Sequence, residues 1–481
     1  MVPRPVPQSP APPLIPEFFA GREVFITGGT GFMGKVFDVI RTHCPQQLDK
    51  LSMLAGDVTK PRFGLDQHCL SQLSQVSVVF HSAATLKFDE PLGVAVGQNL
   101  RSVITLMDIC DQLPNMQVLV HVSTAYSNAE LMHVEERVYA APAPLQHLLS
   151  LIDVLPQDML AEITPRLISP KPNTYTFTKA MAESAVAERA ATAKYATAIF
   201  RPSIVISSLR DPFPGWIENL NGPSGAMVGA GKGMLHVLNC GGARRADMIP
   251  VDIAIDTLLA AAWETAVDDK REARVYNCSS CMSPTTWEQF RTNMLRGVRA
   301  HPFDNVMWYP FGILIENTIM QKILATTLQT VPLHLIHYIS KLCGMKPRPS
   351  LSTVNKRLNA MNDALKFFAM REWFFSTDNV RRLKKRLSPA DAAVYNLDPS
   401  TIDWEDHCVD FVKGCRKYLL REKDQDIERA QRRMHMLYMI HTATKLILSL
   451  LLGRLAIRNG PAILRAVATL SRWRKNGTAL H

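Results

Sequence analysis

Tyr175 and Lys179 are the two residues of this sequence whose types and spacing most directly suggest chemistry. A phenol has a pKa of about 10, so it exchanges protons poorly at neutral pH unless a nearby cation favours its ionised form. Residues four apart share one helix face, and Asn173 suits the N-cap position of a helix that contains both. Taken alone, the pair is more typical of a solvated helix face. With supporting motifs elsewhere, it predicts a catalytic tyrosine assisted by a lysine.

A glycine-rich turn follows the first apolar run of the chain. Residues 24–27 are apolar and β-rich, Gly28, Gly31 and Gly34 follow, and residues 35–41 have helical spacing. In such a strand, turn and helix unit, glycines permit a tight turn and let backbone N–H groups approach a pyrophosphate at the positive helix N-terminus. The alternative is an ordinary glycine turn, but the position between a first strand and a helix favours dinucleotide binding.

A second apolar run ends in two adjacent hydroxyls. Residues 119–122 lead into Ser123 and Thr124, and hydroxyls at a strand end face the crevice of a doubly wound sheet. Thr124 could hydrogen-bond a substrate carbonyl and share its polarisation with Tyr175, as general acid catalysis requires. Ser123 is the alternative for this role. Without Tyr175 and Lys179 further along the chain, a polar strand cap would be the default interpretation.

A third apolar run, residues 76–80, is followed by small residues that include Ala83 and Ala84. Small side chains at a strand end suit backbone contact with a cofactor, so this strand is expected to support the nucleotide. Taken in chain order, the glycine turn, the two strand ends and the Tyr175 and Lys179 pair indicate a nicotinamide-dependent reductase.

Eight segments of the chain match a sequence pattern that is typical of one protein family. They are residues 27–35, 81–91, 121–128, 175–179, 200–205, 229–233, 249–252 and 366–376. The pattern resembles that of the extended short-chain dehydrogenases/reductases and, more narrowly, that of the alcohol-forming fatty acyl-CoA reductases of animals. The resemblance covers roughly residues 20 to 470. It implies an α/β fold in which a doubly wound parallel sheet of Rossmann type precedes a mainly helical C-terminal domain and a basic amphipathic or hydrophobic membrane tail.

The resemblance also implies an activity: reduction of a long-chain acyl-CoA to a primary alcohol with two NADPH and release of CoA. In that family pattern Tyr175 and Lys179 are catalytic, Thr124 polarises the carbonyl, and no metal takes part. Asn99 falls where the family places an asparagine in the active-site neighbourhood. The positions expected to bind the cofactor are Gly28, Thr30, Gly31, Phe32, Met33, Gly34, Asp57, Ala83, Ala84, Asn99 and Lys179.

Composition and hydrophobic periodicity divide the chain into four regions. Residues 1–20 are rich in proline and lack a signal-peptide pattern, which predicts a disordered tail. Residues 21–290 alternate strand and helix patterns and form the expected NAD(P)-binding reductase domain. Residues 300–430 have mainly helical patterns, and residues 431–481 form an expected membrane-anchoring tail.

Positive charge is concentrated at the C-terminus. The net charge is +11, the last acidic residue is Glu428, and ten Lys or Arg residues follow it. These charges are interleaved with apolar runs such as residues 446–452 and not with stacking aromatic residues, so a membrane is the expected partner and nucleic acid is not. Lys445 interrupts the best window for a spanning helix, and Gly460-Pro461 should break or kink the helix beyond that window. An interfacial or hairpin anchor is therefore favoured over a full span, with a solvated tail as the alternative.

The cysteines point to a reducing compartment. The chain has nine scattered cysteines and no secretory signal, so we expect reduced thiols and cytosolic exposure. Cys278 and Cys281 lack a second pair that would complete a tetrahedral metal site. The expected location is the membrane of the endoplasmic reticulum or the peroxisome.

The connection between the glycine turn and Asp57 is short. In a dinucleotide-binding unit the second strand ends about twenty residues after the glycines with a residue that contacts the ribose 2′ position, which here would be Asp57 and would select NAD. Compared with the resembled family, Asp57 instead ends the third strand near the adenine, and about forty residues with the second strand are missing between Cys44 and Leu51. Weaker NADPH binding is expected. The alternative function is a non-catalytic or weakly active relative that binds acyl lipid at a membrane.

Overall fold

The centre of the molecule is a five-stranded parallel sheet. The computed structural model describes residues 14–34, 44–342, 344 and 350–477. All neighbouring strand pairs of this sheet are parallel, which confirms the predicted α/β class. In spatial order the strands are β1 (Glu23–Thr27), β2 (Val76–His81), β3 (Val118–Val122), β5 (Ala196–Pro202) and β10 (Ala273–Cys278).

Alternate side chains of the central strands enter two separate apolar cores, as the period of two in a β-strand requires. Val79 and Leu119 pack into one core together with Phe177 of an overlying helix. Val78 and Val120 pack into the other core, which contains Trp263 from a helix on the opposite face. Helices therefore cover both faces of the sheet, and the predicted doubly wound arrangement is confirmed.

Helices form most of the remaining structure. The helix Leu92–Val96 continues through the π-helical turn Gly97–Arg101 into the helix Ser102–Cys110. The helices are α1 (Ile15–Phe19), α2 (Gln67–Gln72), α3 (Leu92–Val96), α4 (Ser102–Cys110), α5 (Leu145–Val154), α6 (Gln157–Leu167), α7 (Thr174–Ala190), α8 (Pro223–Gly231), α9 (Val251–Asp268), α10 (Trp287–Ala300), α11 (Thr318–Ala325), α12 (Val331–Leu342), α13 (Leu351–Ala369), α14 (Asp378–Arg386), α15 (Pro389–Val394), α16 (Trp404–Gly414) and α17 (Ile427–Gly477).

Short two-stranded ladders connect the C-terminal half of the chain to the N-terminal half. The remaining strands are β4 (His133–Val134), β6 (Ile204–Ile206), β7 (Val237–Asn239), β8 (Arg245–Ala246), β9 (Met248–Pro250), β11 (Thr285–Thr286), β12 (Ile313–Ile315) and β13 (Phe374–Phe375). β13 pairs with β4, and β12 pairs with β7, both in parallel. The mainly helical region after residue 300 is therefore joined to the reductase region by backbone hydrogen bonds.

Strand β1 lies at an edge of the central sheet. It pairs with β2 on one side, and no described strand pairs with its other side, where Val24 is 37% and Ile26 is 46% exposed. Residues 51–57, predicted as a third strand, join no sheet among the described residues, so that prediction is wrong. A strand needs a neighbouring ladder partner, and none lies between these residues and β1 in the described part of the chain. The helix predicted at residues 35–41 falls outside the described residues.

The N-terminal region is partly ordered. Helix α1 buries Ile15 and Phe18 in the core beside Trp263, and the Ile15 backbone N–H donates to Asp391 Oδ1 at 3.2 Å. The prediction of disorder through residue 20 is wrong for this helix, because its apolar side chains find a core to pack against and Pro16 is tolerated in the first helical turn. Residues 1–13 lie outside the described residues.

The C-terminal tail is one long helix. Helix α17 continues through Gly460 and Pro461, so the predicted break and the hairpin built on it are wrong. A single proline removes one N–H donor from a helix, and the apolar and basic residues on either side of Asn459-Gly460-Pro461 include many helix formers such as Leu, Ala and Arg. By length and composition alone, residues Asp424–Arg454 are long and apolar enough to cross a membrane.

Candidate active site

A large cavity lies at the carboxyl ends of the parallel strands, where ligands bind in doubly wound sheets. Its volume is about 1410 Å³. The glycine turn after β1, the ends of β2 and β3, and the first turns of α7 reach it. The predicted site residues that line it are Gly28, Thr30, Gly31, Phe32, Met33, Asp57, Ala83, Ala84, Ser123, Thr124, Tyr175 and Lys179.

Tyr175 occupies the first turn of α7. Asn173 caps this helix as predicted, since its Oδ1 accepts a hydrogen bond from the Thr176 backbone N–H at 2.9 Å. The phenol ring stacks on Phe88 with ring centroids 5.8 Å apart. Burial raises the pKa of Tyr175 to about 12, and a hydrogen bond with Thr124 opposes part of that rise. The side chain is therefore a protonated hydrogen-bond donor at neutral pH.

Lys179 lies one helical turn further along α7 and is buried. Its Nζ donates a hydrogen bond to the Val122 carbonyl oxygen at 2.8 Å, which ties the helix to the end of β3. Burial lowers the pKa of Lys179 to about 8, and the Glu183 carboxylate partly opposes that fall. The pKa of Tyr175 is raised and not lowered as expected, because burial of the phenol outweighs the other influences on it.

The two hydroxyls at the end of β3 have different surroundings. Thr124 caps the short 3-10 helix Ala125–Asn128 and lines the cavity together with Tyr175. Ser123 donates its hydroxyl to Glu183 Oε1 at 2.5 Å. Because that proton is already engaged by a buried carboxylate, Ser123 is poorly placed to polarise a substrate carbonyl. The geometry favours Thr124 over its neighbour.

The glycine turn fits a dinucleotide. Gly28 has φ +74°, and a Cβ built there would lie 2.8 Å from the Ala83 backbone nitrogen, so no other residue fits without a shift. The Gly31 N–H closes the turn onto the Gly28 carbonyl oxygen at 2.9 Å. Beside this turn the wall is made of the small residues Thr30, Ala83 and Ala84, which leave the backbone open to the cavity. Gly34 ends the 3-10 helix Phe32–Gly34 and is not among the lining residues.

Asp57 lines the cavity from an exposed loop. Its Oδ1 accepts hydrogen bonds from the Thr59 backbone N–H at 2.9 Å and from the Thr59 hydroxyl at 2.7 Å. These hydrogen bonds lower the pKa of Asp57, so the carboxylate is ionised at neutral pH. The residue thus reaches the predicted site from a loop and not from a strand end.

Asn99 is not in the cavity wall, and the expectation that it contacts the cofactor is wrong. It lies buried in the π-helical turn Gly97–Arg101. Its side chain accepts a hydrogen bond from the Thr85 N–H at 2.9 Å and donates to Thr178 Oγ1 at 3.1 Å. Asn99 therefore holds the loop after β2 against α7, because both of its polar atoms are used within the protein.

Sequence reasoning missed a buried ion pair behind Lys179. Glu183 and Arg201 are both inaccessible to solvent, with Nη2 and Oε2 2.6 Å apart. Arg201 also donates to the backbone carbonyl oxygens of Glu135 and Arg137. The available signal was spacing, since Glu183 follows Lys179 by four residues on the same helix face.

The far wall of the cavity is apolar. Helix α10 contributes five apolar side chains, and β12 contributes Ile313 and Leu314. The α10 side chains are Trp287, Phe290, Met294, Leu295 and Val298. Among the described residues, no group of three His, Cys, Asp or Glu side chains is placed to hold a metal ion.

Two family models match the chain, and each is described as Male sterility protein. An NAD-binding model matches residues 36–258, and a model named Sterile matches residues 328–422. Together with the glycine turn, the first match supports a nicotinamide cofactor. Among solved structures, the terminal R domain from the myxalamid PKS-NRPS biosynthetic pathway is similar with a TM-score of 0.50 at 13% identity, covering 84% of this chain and 93% of that chain. At that identity the likeness supports the fold alone.

Curated relatives are similar along nearly the whole chain. Fatty acyl-CoA reductase 1 of Gallus gallus is 31% identical over 484 residues, which cover 92% of this chain and 93% of that protein. Fatty acyl-CoA reductase 2 of Bos taurus is 31% identical over 485 residues with the same coverage. Both alignments are longer than the 481 residues of this chain. Each relative therefore has residues at aligned positions where this chain has a gap. By this extent of similarity, the chain belongs to the fatty acyl-CoA reductase family of animals.

Proposed function

We propose that this protein reduces a long-chain fatty acyl-CoA to a primary fatty alcohol with NADPH and releases CoA. The observation that carries the proposal is one cavity lined by the glycine turn, by Thr124 and Tyr175, and by the apolar side chains of α10. Its volume of about 1410 Å³ exceeds the ~300–1,000 Å³ of ordinary ligand pockets, which suits a cofactor and an acyl chain together. The names of the curated relatives support the same substrate class.

Tyr175 and Thr124 act on the carbonyl oxygen of the substrate. When bound, the nicotinamide cofactor supplies the hydride that adds to the carbonyl carbon. The protonated phenol, whose pKa burial raises to about 12, donates a hydrogen bond to the oxygen as negative charge develops there. Thr124 lines the same cavity and offers a second hydroxyl to that oxygen. Collapse of the tetrahedral species breaks the carbon–sulfur bond, CoA leaves as thiolate, and an aldehyde remains.

The same groups serve the second reduction. Hydride addition to the aldehyde, for which a second NADPH would supply the hydride, gives an alkoxide, which takes the Tyr175 proton to become the primary alcohol. Lys179, with a pKa of about 8, is mostly protonated at neutral pH. Its positive charge, fixed on the Val122 carbonyl oxygen, stabilises the phenolate that proton transfer leaves behind.

The tail helix α17 attaches this reductase to a membrane. Its first turns are part of the protein core, because Ala430, Met434 and Leu437 are buried, whereas the apolar side chains from Leu446 to Leu452 are exposed. No acidic residue follows Glu428. An exposed apolar helix with basic residues and no acidic ones suits a bilayer with anionic lipids.

The non-catalytic alternative is not favoured. Tyr175, Lys179 and Thr124 are all present around the cavity, together with a glycine turn whose shape fits a dinucleotide. A protein that had lost catalysis would have no use for this arrangement.

Purified full-length protein in detergent, supplied with NADPH and hexadecanoyl-CoA, tests the proposal. We expect oxidation of NADPH and formation of hexadecanol, measured by absorbance and gas chromatography. Tyr175→Phe should lower the turnover by a factor of about 10²–10⁴, the usual contribution of a positioned acid. Tyr195→Phe is the matched control, because the Tyr195 hydroxyl lies in the sheet core near the Met107 carbonyl and should not affect turnover. Turnover by Tyr175→Phe equal to the control would refute the assigned chemistry.

A further inference from the structure

Helices α11 and α12 bury two glutamine side chains and expose many large apolar ones. They are joined by the π-helical turn Thr326–Thr330 into one rod that packs on α13 and β7. In a water-soluble protein the apolar stripe of such a rod faces the core and the polar stripe faces solvent. Here Gln321 and Gln329 are buried beside Ala325 and Leu333, while eight large apolar side chains are exposed.

The outward stripe has helical spacing. It follows steps of three or four residues within each helix, with a gap of eight residues between Ile323 and Val331. Its members are exposed to a degree unusual for their size, with Ile319 73%, Tyr338 62% and Leu342 70% accessible. A contiguous apolar surface of this kind marks an interaction site. The stripe consists of Ile319, Met320, Ile323, Val331, Leu335, Tyr338, Ile339 and Leu342.

Hydrogen bonds fix the orientation of the rod. Gln329 Oε1 accepts from the His236 backbone N–H at 3.2 Å, and its Nε2 donates to Asn355 Oδ1 at 3.4 Å. Asn355 Nδ2 in turn donates to Thr330 Oγ1 at 3.3 Å. Rotating the apolar stripe inward would bring these polar groups to the surface and break their bonds, so the outward direction of the stripe is built into the packing.

Charge identifies the partner. Residues 317–362 contain six Lys or Arg residues and no Asp or Glu, the same bias as the tail after Glu428. Lys322 and Lys341 are exposed beside the apolar stripe. Apolar side chains flanked by basic ones, with no acidic residue, match the interface of a bilayer that contains anionic lipids.

The segment that precedes the rod contacts the tail helix. The segment that leads into β12 and α11 packs on α17: Trp308 Nε1 donates to His441 Nδ1 at 3.1 Å, and the rings of Tyr309 and Tyr438 are 5.3 Å apart. The exposed apolar part of α17 begins directly beyond these contacts. A tail that enters a membrane therefore brings the start of this rod to the same membrane.

We propose that the outward face of α11 and α12 lies in the interface of a phospholipid bilayer and forms a second membrane contact beside the tail helix. This proposal deepens the proposed membrane attachment. On the inner side of the same rod, Gln329 accepts a hydrogen bond from His236, which lines the cavity. The proposed contact therefore places the cavity close to the lipid from which long acyl chains come.

Photo-crosslinking in the full chain tests this contact without requiring activity. A benzophenone amino acid is placed at Tyr338, at Leu450 of the tail, or at Met159, and the protein is bound to vesicles of phosphatidylcholine and phosphatidylserine. Met159 is the matched control, because it is 53% exposed but lies between the exposed acidic residues Asp158 and Glu162. We expect lipid adducts at Tyr338 and none at Met159.

Absence of a lipid adduct at Tyr338 overturns the proposal, whatever Leu450 gives. A crosslink from Tyr338 to a second copy of the chain also overturns it, since another protein molecule would then cover the stripe. An adduct at Tyr338 without one at Leu450 supports the second contact and refutes attachment through the tail. In the background Ile319→Glu plus Leu335→Glu, the Tyr338 adduct should be lost, whereas Val154→Glu plus Met159→Glu should leave it unchanged.

Discussion

Glu183 and Arg201 form a two-point ion pair in the interior, one helical turn beyond Lys179. Nε and Nη2 of the guanidinium donate to the two carboxylate oxygens at 2.9 Å and 2.6 Å. The same carboxylate accepts the Ser123 hydroxyl, and it partly opposes the fall in the pKa of Lys179. The pair thus links the end of β3, helix α7 and the loop at residues 135–137 around the site.

Breaking this pair should cost much of the stability of the fold. Arg201→Leu leaves the Glu183 carboxylate buried without a counter-ion, and we expect a loss of about 3–5 kcal/mol in the free energy of unfolding. The matched control is Arg296→Leu, which removes an ion pair with Glu405 of similar length, 2.7 Å, between two largely exposed side chains. The control should change stability by about 1 kcal/mol or less. Denaturant unfolding followed by circular dichroism measures both, and equal small losses would contradict the structural role.

Activity should fall as the pH rises through the pKa of Lys179. Burial lowers that pKa from 10.5 to about 8, so the ammonium is present below pH 8 and lost above it. The unfolded lysine binds its proton more tightly than the folded one, so this residue stabilises the fold increasingly as pH rises from about 8 toward 10.5. A fall in kcat/KM there, without a fall in thermal stability, therefore reports on catalysis and not on unfolding.

Lys179→Arg separates this titration from other alkaline effects. Arginine keeps its charge throughout this range, so the alkaline fall of any residual activity should disappear. Persistence of the fall at the same pH in Lys179→Arg would assign it to another group.

Gly28→Ala should weaken cofactor binding. The added Cβ would meet the Ala83 backbone at 2.8 Å and would require an alanine at φ +74°, so the turn must shift. We expect at least about a tenfold rise in the Kd of the cofactor, since 1.4 kcal/mol corresponds to that factor. Gly97→Ala is the control, because nothing lies within 4 Å of its added Cβ. Calorimetric titration of both variants checks this, and unchanged affinity in Gly28→Ala would rule out a tight glycine turn at the cofactor.

Selectivity for NADPH over NADH should be small. The second strand of the family pattern, which this chain is expected to lack, would carry the basic contacts to the 2′-phosphate. The ionised Asp57 lines the cavity from a nearby loop. An anion disfavours a phosphate group, so Asp57→Asn should raise NADPH affinity more than NADH affinity. Titration with both cofactors decides, and strong NADPH selectivity of the unmodified protein would mean that another segment binds the phosphate.

Removing the tail should release the protein from membranes, provided that the cut lies beyond the core. Met434 and Leu437 are buried, so deletion of residues 443–481 should leave a folded protein, while deletion from residue 431 should also destabilise it. Sedimentation of vesicles measures attachment, and thermal unfolding compares the two truncations. Full retention in the vesicle pellet of the protein that lacks residues 443–481 would mean that α17 is not the main anchor.

The sequence by itself determined the local parts of the site. Asn173 caps the helix that carries Tyr175 and Lys179, and glycine is required at Gly28, because capping and backbone conformation depend on residues a few positions apart. The alternation of Val78 and Val79 between two cores likewise follows from strand geometry.

Only the tertiary structure decided which candidates face the cavity. The Ser123 hydroxyl donates to Glu183, and the Asn99 amide donates to Thr178. These partners lie 60 and 79 residues away, so a local sequence pattern does not contain them. The exposure of apolar side chains on α11 and α12 is also a tertiary property. Helical spacing fixes which residues share a face but not which face is buried. That choice was made by hydrogen bonds from Gln329 to distant chain segments, because a buried amide is stable only where it finds partners.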